Sequence, residues 1–168
     1  MHTVGVLALQ GDVREHLQVL AELNCKAIEV RTPEQLAAVD ALVIPGGEST
    51  TIFKLAQIFG MLSPLREAIA GGLPVLGTCA GLILLAKEIV DPASGQETFG
   101  GLDITVRRNA FGNQNDSFET VVQLEGLAEP MHVAFIRAPI VESVGDGVEV
   151  IASLPSGQIV GVRQQKVI

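Results

Sequence analysis

The segment Gly77-Thr78-Cys79-Ala80-Gly81 sets a cysteine between two glycines, each two residues away. It joins a short apolar run, Pro74 to Thr78, directly to an apolar stretch of helical character, Leu82 to Glu88. Glycines at those positions permit the tight strand-to-helix turn of a nucleophile elbow, which presents the central side chain over the strand ends. A thiol there also lies at a helix N-terminus, where the positive end of the dipole favours the thiolate and lowers its pKa from about 8.5. That is the setting of a covalent acyl-transfer nucleophile. The plain alternative makes Cys79 a small buried apolar residue, but the flanking glycines and the abrupt junction favour the nucleophile. Cys25 has no such neighbours and reads as apolar filling.

A second segment, Pro45-Gly46-Gly47-Glu48-Ser49, follows another apolar run. Consecutive glycines let backbone N–H groups point into a crevice. The amide of Gly47 and that of Ala80, just after the cysteine, form a candidate two-donor hole for a tetrahedral oxyanion. Taken alone the Gly-Gly pair is only a turn; beside a nucleophile elbow it is the expected partner. Neither loop carries the glycine and lysine pattern of a P-loop or the G-x-G-x-x-G of a dinucleotide fold.

These loops need strands to bring them together. The first two-thirds of the chain alternate Val/Ile/Leu runs with helical periods, the pattern of βα units around a parallel sheet. Strands are predicted over Thr3 to Leu9, Lys26 to Arg31, Ala41 to Ile44 and Pro74 to Thr78. Helices are predicted after Asp12, which with Glu15 suggests a capping box, and over Pro33 to Ala38. Two more are expected from an N-cap at Ser49 to about Phe59, and from a cap at Ser63 to Gly71. Ligands of open α/β sheets bind beyond the carboxyl ends of the strands. Gln10-Gly11, Pro45 to Ser49 and Thr78-Cys79-Ala80 all lie at such ends. From Asp91 the texture changes to loops and β-type runs: Ile104 to Arg107, Phe118 to Leu124, His132 to Ala138, Val148 to Leu154 and Gln158 to Arg163. Pro155-Ser156-Gly157 makes a hairpin turn between the last two.

The 168 residues suit one domain with a core of its own, and no repeat or low-complexity tract marks a boundary. Eleven Lys and Arg against 19 Asp and Glu give a net charge of -8, the wrong sign for a protein that holds nucleic acid or an anionic membrane. With 48% hydrophobic and 18% charged residues the chain is not disordered, and without Trp or Tyr it lacks stacking platforms. Two cysteines and the scattered His2, His16 and His132 offer neither a disulfide scaffold nor metal-ligand spacing. The N-terminus shows no basic leader, and no apolar run approaches the roughly 18 residues of a membrane span, which points to a cytoplasmic protein.

Together, Gln10-Gly11 with Val13 to His16, the GGEST block at Gly46 to Thr50, and Gly77 to Gly81 resemble the PdxT family; Arg108 to Gly112 (RNxFG) and Phe135 to Pro139 (FIRAP) add to the likeness. That family comprises the glutaminase subunits of pyridoxal 5'-phosphate synthase, among the triad glutamine amidotransferases. The elbow and the glycine loop are shared widely among amidotransferases, whereas the other blocks are specific to this branch. The resemblance implies a three-layer α/β fold of flavodoxin-like, class I amidotransferase type, with a mostly parallel central sheet. It implies hydrolysis of L-glutamine to glutamate and ammonia through a Cys79 thioester, with no cofactor or metal. Ammonia would pass to a synthase subunit of PdxS type in a hetero-oligomer. It assigns Gly46, Gly47, Glu48, Ser49, Arg108, Ile136 and Arg137 to glutamine binding, and Gln10 to the interface with the synthase.

Expelling ammonia requires a proton donor, normally a histidine oriented by a carboxylate. In the family these come from an FHPE-like segment shortly after the last strand pair, and no residue of this sequence matches it. His2, His16 and His132 each read as structural or surface histidines. The expectation is a C-terminally incomplete amidotransferase domain. The competing readings are a catalytically incomplete subunit that binds glutamine or docks on the synthase, and a cysteine protein handling aldehydes or oxidants on the same elbow. The branch-specific blocks speak against the last.

Overall fold

The computed structural model describes residues 2–110 and 117–168. A parallel sheet forms its centre, ordered β2-β1-β3-β4 from β1 (Thr3–Leu7), β2 (Lys26–Val30), β3 (Ala41–Ile44) and β4 (Val75–Gly77). The three innermost residues of β1 and of β3 are buried, as expected for strands covered on both faces. The connecting helices are α1 (Val13–Glu22), α2 (Pro33–Ala37), α3 (Ser49–Ile58), α4 (Leu62–Ala70) and α5 (Ala80–Leu85). Helices α2 to α5 add Leu36, Ile52, Phe53, Leu65 and Leu84 to Leu7 and Ile44 in the main core, whereas α1 buries no residue. The order puts β1, β3 and β4 side by side, so the three loops singled out above leave adjacent strands in one direction.

Several local expectations are corrected. Asp12 makes no side-chain cap on α1, and Ser63 does not open α4, which begins at Leu62 after an uncapped Met61. The cap of α3 is Glu48, not Ser49, which is the first helical residue. The full reciprocal box instead occurs at α2, where Thr32 and Gln35 exchange bonds ahead of Pro33. The helix after the elbow stops at Leu85, well short of Glu88. Ala86 turns extended and opens β5 (Ala86–Val90), because parallel pairing with β6 (Leu102–Arg107) claims those residues.

Beyond this point a second sheet runs β10-β11-β9-β6-β5, with β9 (Ile140–Val144), β10 (Glu149–Ser153) and β11 (Ile159–Arg163). The hairpin at Pro155-Ser156-Gly157 joins β10 and β11 as expected, with Leu154 N–H bonded to the Gln158 carbonyl at 2.9 Å. A separate antiparallel ribbon pairs β7 (Phe118–Val122) with β8 (Met131–Phe135). Val122 and Phe135 from the ribbon pack with Ala152 and Leu154 in a small second core. Val167 and Ile168 lie parallel along β4: Gly77 N–H bonds the Ile168 carbonyl at 2.7 Å, and Ile168 N–H bonds that of Val75 at 2.9 Å.

Candidate active site

Cys79 is held in a conformation that L-residues avoid, with φ +50° and ψ -102°, between the last residue of β4 and the first of α5. The two glycines make the bend feasible by close approach. A Cβ on Gly77 would lie 2.5 Å from Leu85 Cδ1 and 2.7 Å from the Gly81 carbonyl carbon, and one on Gly81 would overlap the Ile44 carbonyl oxygen. Thr78 N–H bonds the same Ile44 oxygen at 3.1 Å, so the elbow is seated on the end of β3.

The glycine loop meets the elbow from β3. A Cβ on Gly46 would come 3.6 Å from Cys79 Cβ, and the backbone amides of Gly47 and Ala80 both act on the sulfur in favour of its anion. Both nominated donors are thus near enough to the thiol to act on its charge. Beside them opens a cleft of about 460 Å³, lined by Thr78, Cys79 and mainly apolar groups that include Leu76, Val122, Phe135 and Ala138.

The expected depression of the thiol pKa is overturned. Burial pushes the Cys79 thiol above its ordinary 9.0, and the nearby Asp12 carboxylate adds to the rise; the Ala80 and Gly47 amides and Arg137 oppose this without reversing it. Although the residue as a whole is exposed, the surrounding protein partly desolvates its thiol, and α5 has only six residues to set a dipole against that desolvation.

Gln10 lies beneath the glycine loop: its Oε1 accepts from Glu48 N–H at 2.8 Å, and it fills the space where a Gly47 side chain would stand. Glu48 caps α3 by accepting from Thr51 N–H at 2.9 Å and Thr51 Oγ1 at 3.1 Å, and it also takes the Thr50 hydroxyl. Burial pushes this carboxyl up, but the threonine hydrogen bonds outweigh it and hold the group below 4.5. Arg108 follows β6 and reaches the same loop, with Nη2 3.4 Å from Glu48 Oε1. Ser49 is buried, and its hydroxyl accepts from Gln96. Ile136 is 60% exposed just after β8, and Arg137 beside it, at φ +46°, is near enough to Cys79 to act on its charge. Phe111 and Gly112 of the RNxFG block lie outside the described residues.

Three residues near the site were not picked out in the sequence. Asp12 faces Gly46 and Cys79 from the start of α1; its place directly after Gln10-Gly11 at the end of β1 was the available signal. His16, read as a structural or surface residue, lies one turn further on and holds Thr78 Oγ1 at 3.2 Å through Nε2. Gln96, in the loop before β6, bridges Ser49 and Arg108, and nothing in its sequence surroundings announces that. His2 and His132 are surface residues beside Asp40 and Glu119, and the Cys25 thiol makes a long contact to the Leu23 carbonyl. Among the described residues no group of three His, Cys, Asp or Glu could hold a metal ion, and no helix is long and apolar enough to cross a membrane.

The sequence profile of the SNO glutamine amidotransferase family matches residues 6–168. The chain belongs to that family. Relatives in it include the pyridoxal 5'-phosphate synthase subunit PdxT of Streptomyces avermitilis, 63% identical over 96% of this chain and 80% of the relative. The PdxT subunit of Leifsonia xyli is 60% identical over 98% of this chain and 84% of its own. A crystal structure of a glutamine amidotransferase superposes with a TM-score of 0.90 at 50% identity, covering 98% of this chain and 86% of that one. A glutamine amidotransferase from Thermotoga maritima, at 15% identity and a TM-score of 0.66 over 99% of this chain and 73% of its own, shares the fold. The α/β architecture around a mostly parallel central sheet is thus the one this family uses.

Proposed function

We propose that this chain is the glutaminase subunit of a pyridoxal 5'-phosphate synthase, with Cys79 as the nucleophile that opens the side-chain amide of L-glutamine. One observation carries the reading: a strained cysteine at the junction of β4 and α5, with the amides of Gly47 and Ala80 near enough to favour its anion, in a chain of an amidotransferase family. Attack of the Cys79 sulfur on the amide carbon forms the C–S bond and moves charge onto the carbonyl oxygen, where the Gly47 and Ala80 N–H groups can take it up. Collapse breaks the C–N bond and releases ammonia once its nitrogen has gained a proton. Water then cleaves the thioester to glutamate. The FHPE-like segment is the family's source of the general acid, and no position from 1 to 168 matches it.

The amino-acid end of glutamine carries one positive and one negative charge. The Glu48 and Arg108 pair offers the complementary charges on the loop that carries Gly46 and Gly47. Ile136 and Arg137 are assigned to the substrate by the family resemblance, with Arg137 near enough to Cys79 to act on its charge, and Ser49 is bonded within the loop to Gln96. Ammonia passes to a synthase partner, with Gln10 and the start of α1 at the contact, in the cytoplasm.

An electrophilic glutamine analogue, 6-diazo-5-oxo-L-norleucine, tests the reading. Intact-mass and peptide analysis should find one adduct on Cys79, suppressed by glutamine and absent in Cys79→Ala. Labelling that ignores glutamine, or no labelling, would reject it. The binding-only alternative predicts a saturable response to glutamine with an unreactive Cys79.

A further inference from the structure

We propose that Gln96 is a positioning residue for glutamine: it holds the Arg108 guanidinium away from full engagement with Glu48, so that both charges stay available to the amino-acid end of the substrate. This rests on the glutamine reading above.

Gln96 is 8% exposed and Ser49 is 2% exposed, and these are the buried polar side chains among the described residues. A buried amide is costly unless both its ends are bonded. Here both are. Gln96 Oε1 accepts from Arg108 Nη1 at 2.9 Å, and Gln96 Nε2 donates to Ser49 Oγ at 2.9 Å. The orientation is forced, because a guanidinium only donates and the amide oxygen must face it.

The amide is also firmly placed. Arg66 clasps the Thr98 carbonyl through Nε at 3.0 Å and Nη2 at 2.6 Å, and Phe99 N–H bonds the Leu84 carbonyl at 2.6 Å, so the segment next to Gln96 is pinned to α4 and α5. Three chain segments thus meet in one amide: the loop before β6, the first turn of α3, and the residue after β6.

The consequence lies in the geometry of the charged pair. Glu48 gives Oε2 to Thr50 and Thr51 and turns Oε1 toward Arg108, yet the contact is 3.4 Å, longer than the 2.7–2.9 Å of a close charge-assisted bond. Gln96 supplies the nearer acceptor. Without it, the guanidinium's remaining partner in this network is Glu48, and closing that pair would neutralise the two groups that a zwitterionic ligand needs. The loop before β6 thereby contributes to substrate affinity without touching the nucleophile.

Two reagents separate this from a structural role. 6-Diazo-5-oxo-L-norleucine carries glutamine's α-amino and α-carboxylate groups, whereas iodoacetamide tests only the thiol. In Gln96→Met, which removes both hydrogen bonds at similar volume, the half-saturating concentration of the diazo reagent should rise about tenfold or more while iodoacetamide labels Cys79 at the unchanged rate. Gln96→Glu should leave most of the loss in place, since its carboxylate accepts from Arg108 but neutralises the charge that the ligand needs. Should Gln96→Met not fold, Gln96→Asn, one methylene too short for both partners, should show the same split. The proposal is overturned if the variants only lower the melting temperature, or if both reagents slow equally. Wild-type protein that the diazo reagent fails to label in competition with glutamine would instead refute the glutamine reading itself.

Discussion

Gly81 packs against the end of β3 so closely that a methyl group on it would overlap the carbonyl oxygen of Ile44. The same oxygen accepts the N–H of Thr78, so one backbone atom anchors the residue before the nucleophile and limits the residue two after it.

That contact decides the sign of a substitution. Gly81 lies inside α5, where alanine gains roughly 0.5–1 kcal/mol in helix propensity. Overpacking a tight contact costs typically about 1–3 kcal/mol, and here the neighbour is backbone that has little room to yield. Gly81→Ala should therefore lower stability in urea unfolding and slow alkylation of Cys79 as the elbow shifts. An unchanged or raised midpoint would mean that the bend does not depend on this approach.

Legibility in the sequence followed the range of the forces at work. The parallel sheet and the elbow could be read because buried strands and the Gly77 and Gly81 spacing are local patterns. The shortening of α5 could not: Leu82 to Glu88 is helical by local preference, and only pairing of Ala86 to Val90 with β6 decides otherwise. Strand β9 was missed for the same reason, since its partners β6 and β11 lie on either side of it in the chain. The Cys79 environment shows a second limit. Spacing located the thiol at a helix start but carried no information on burial or on Asp12, and those two reversed the expected direction of its pKa.

The thiol provides a pH-dependent readout. Because burial and Asp12 raise its pKa above the ordinary thiol value, iodoacetamide should react slowly at neutral pH, and the rate should still be climbing as pH passes 9.0. Asp12→Asn removes a negative neighbour and should move the rise to lower pH. Arg137→Gln removes a positive one and should move it higher. A plateau already reached at pH 7 would show that the amides of Ala80 and Gly47 outweigh desolvation.

His16 and Thr78 form a part-buried hydrogen bond that ties α1 to the elbow across 62 residues of sequence. A hydrogen bond of this kind contributes about 0.5–1.5 kcal/mol. The cycle of His16→Ala, Thr78→Val and the double variant, followed by urea unfolding, should give a coupling of that size. Strictly additive effects would mean that the two side chains are neighbours without being partners.

Glu48 couples the glycine loop to acid. Its carboxylate caps α3 through Thr50 and Thr51, and those bonds hold its pKa below the ordinary 4.5 despite burial. A group whose folded pKa is depressed stabilises the fold above its unfolded pKa, and that contribution disappears as pH falls through the lower, folded value. Glu48→Gln is the neutral isostere, so the stability difference from wild type should be largest and constant near pH 7. A charge at a helix N-terminus makes that difference about 0.3–1 kcal/mol. It should begin to shrink just below 4.5 and close at more acid pH, as read by urea midpoints across the series. A difference that grew on acidification would mean that the protonated carboxyl, rather than the carboxylate, is the capping form.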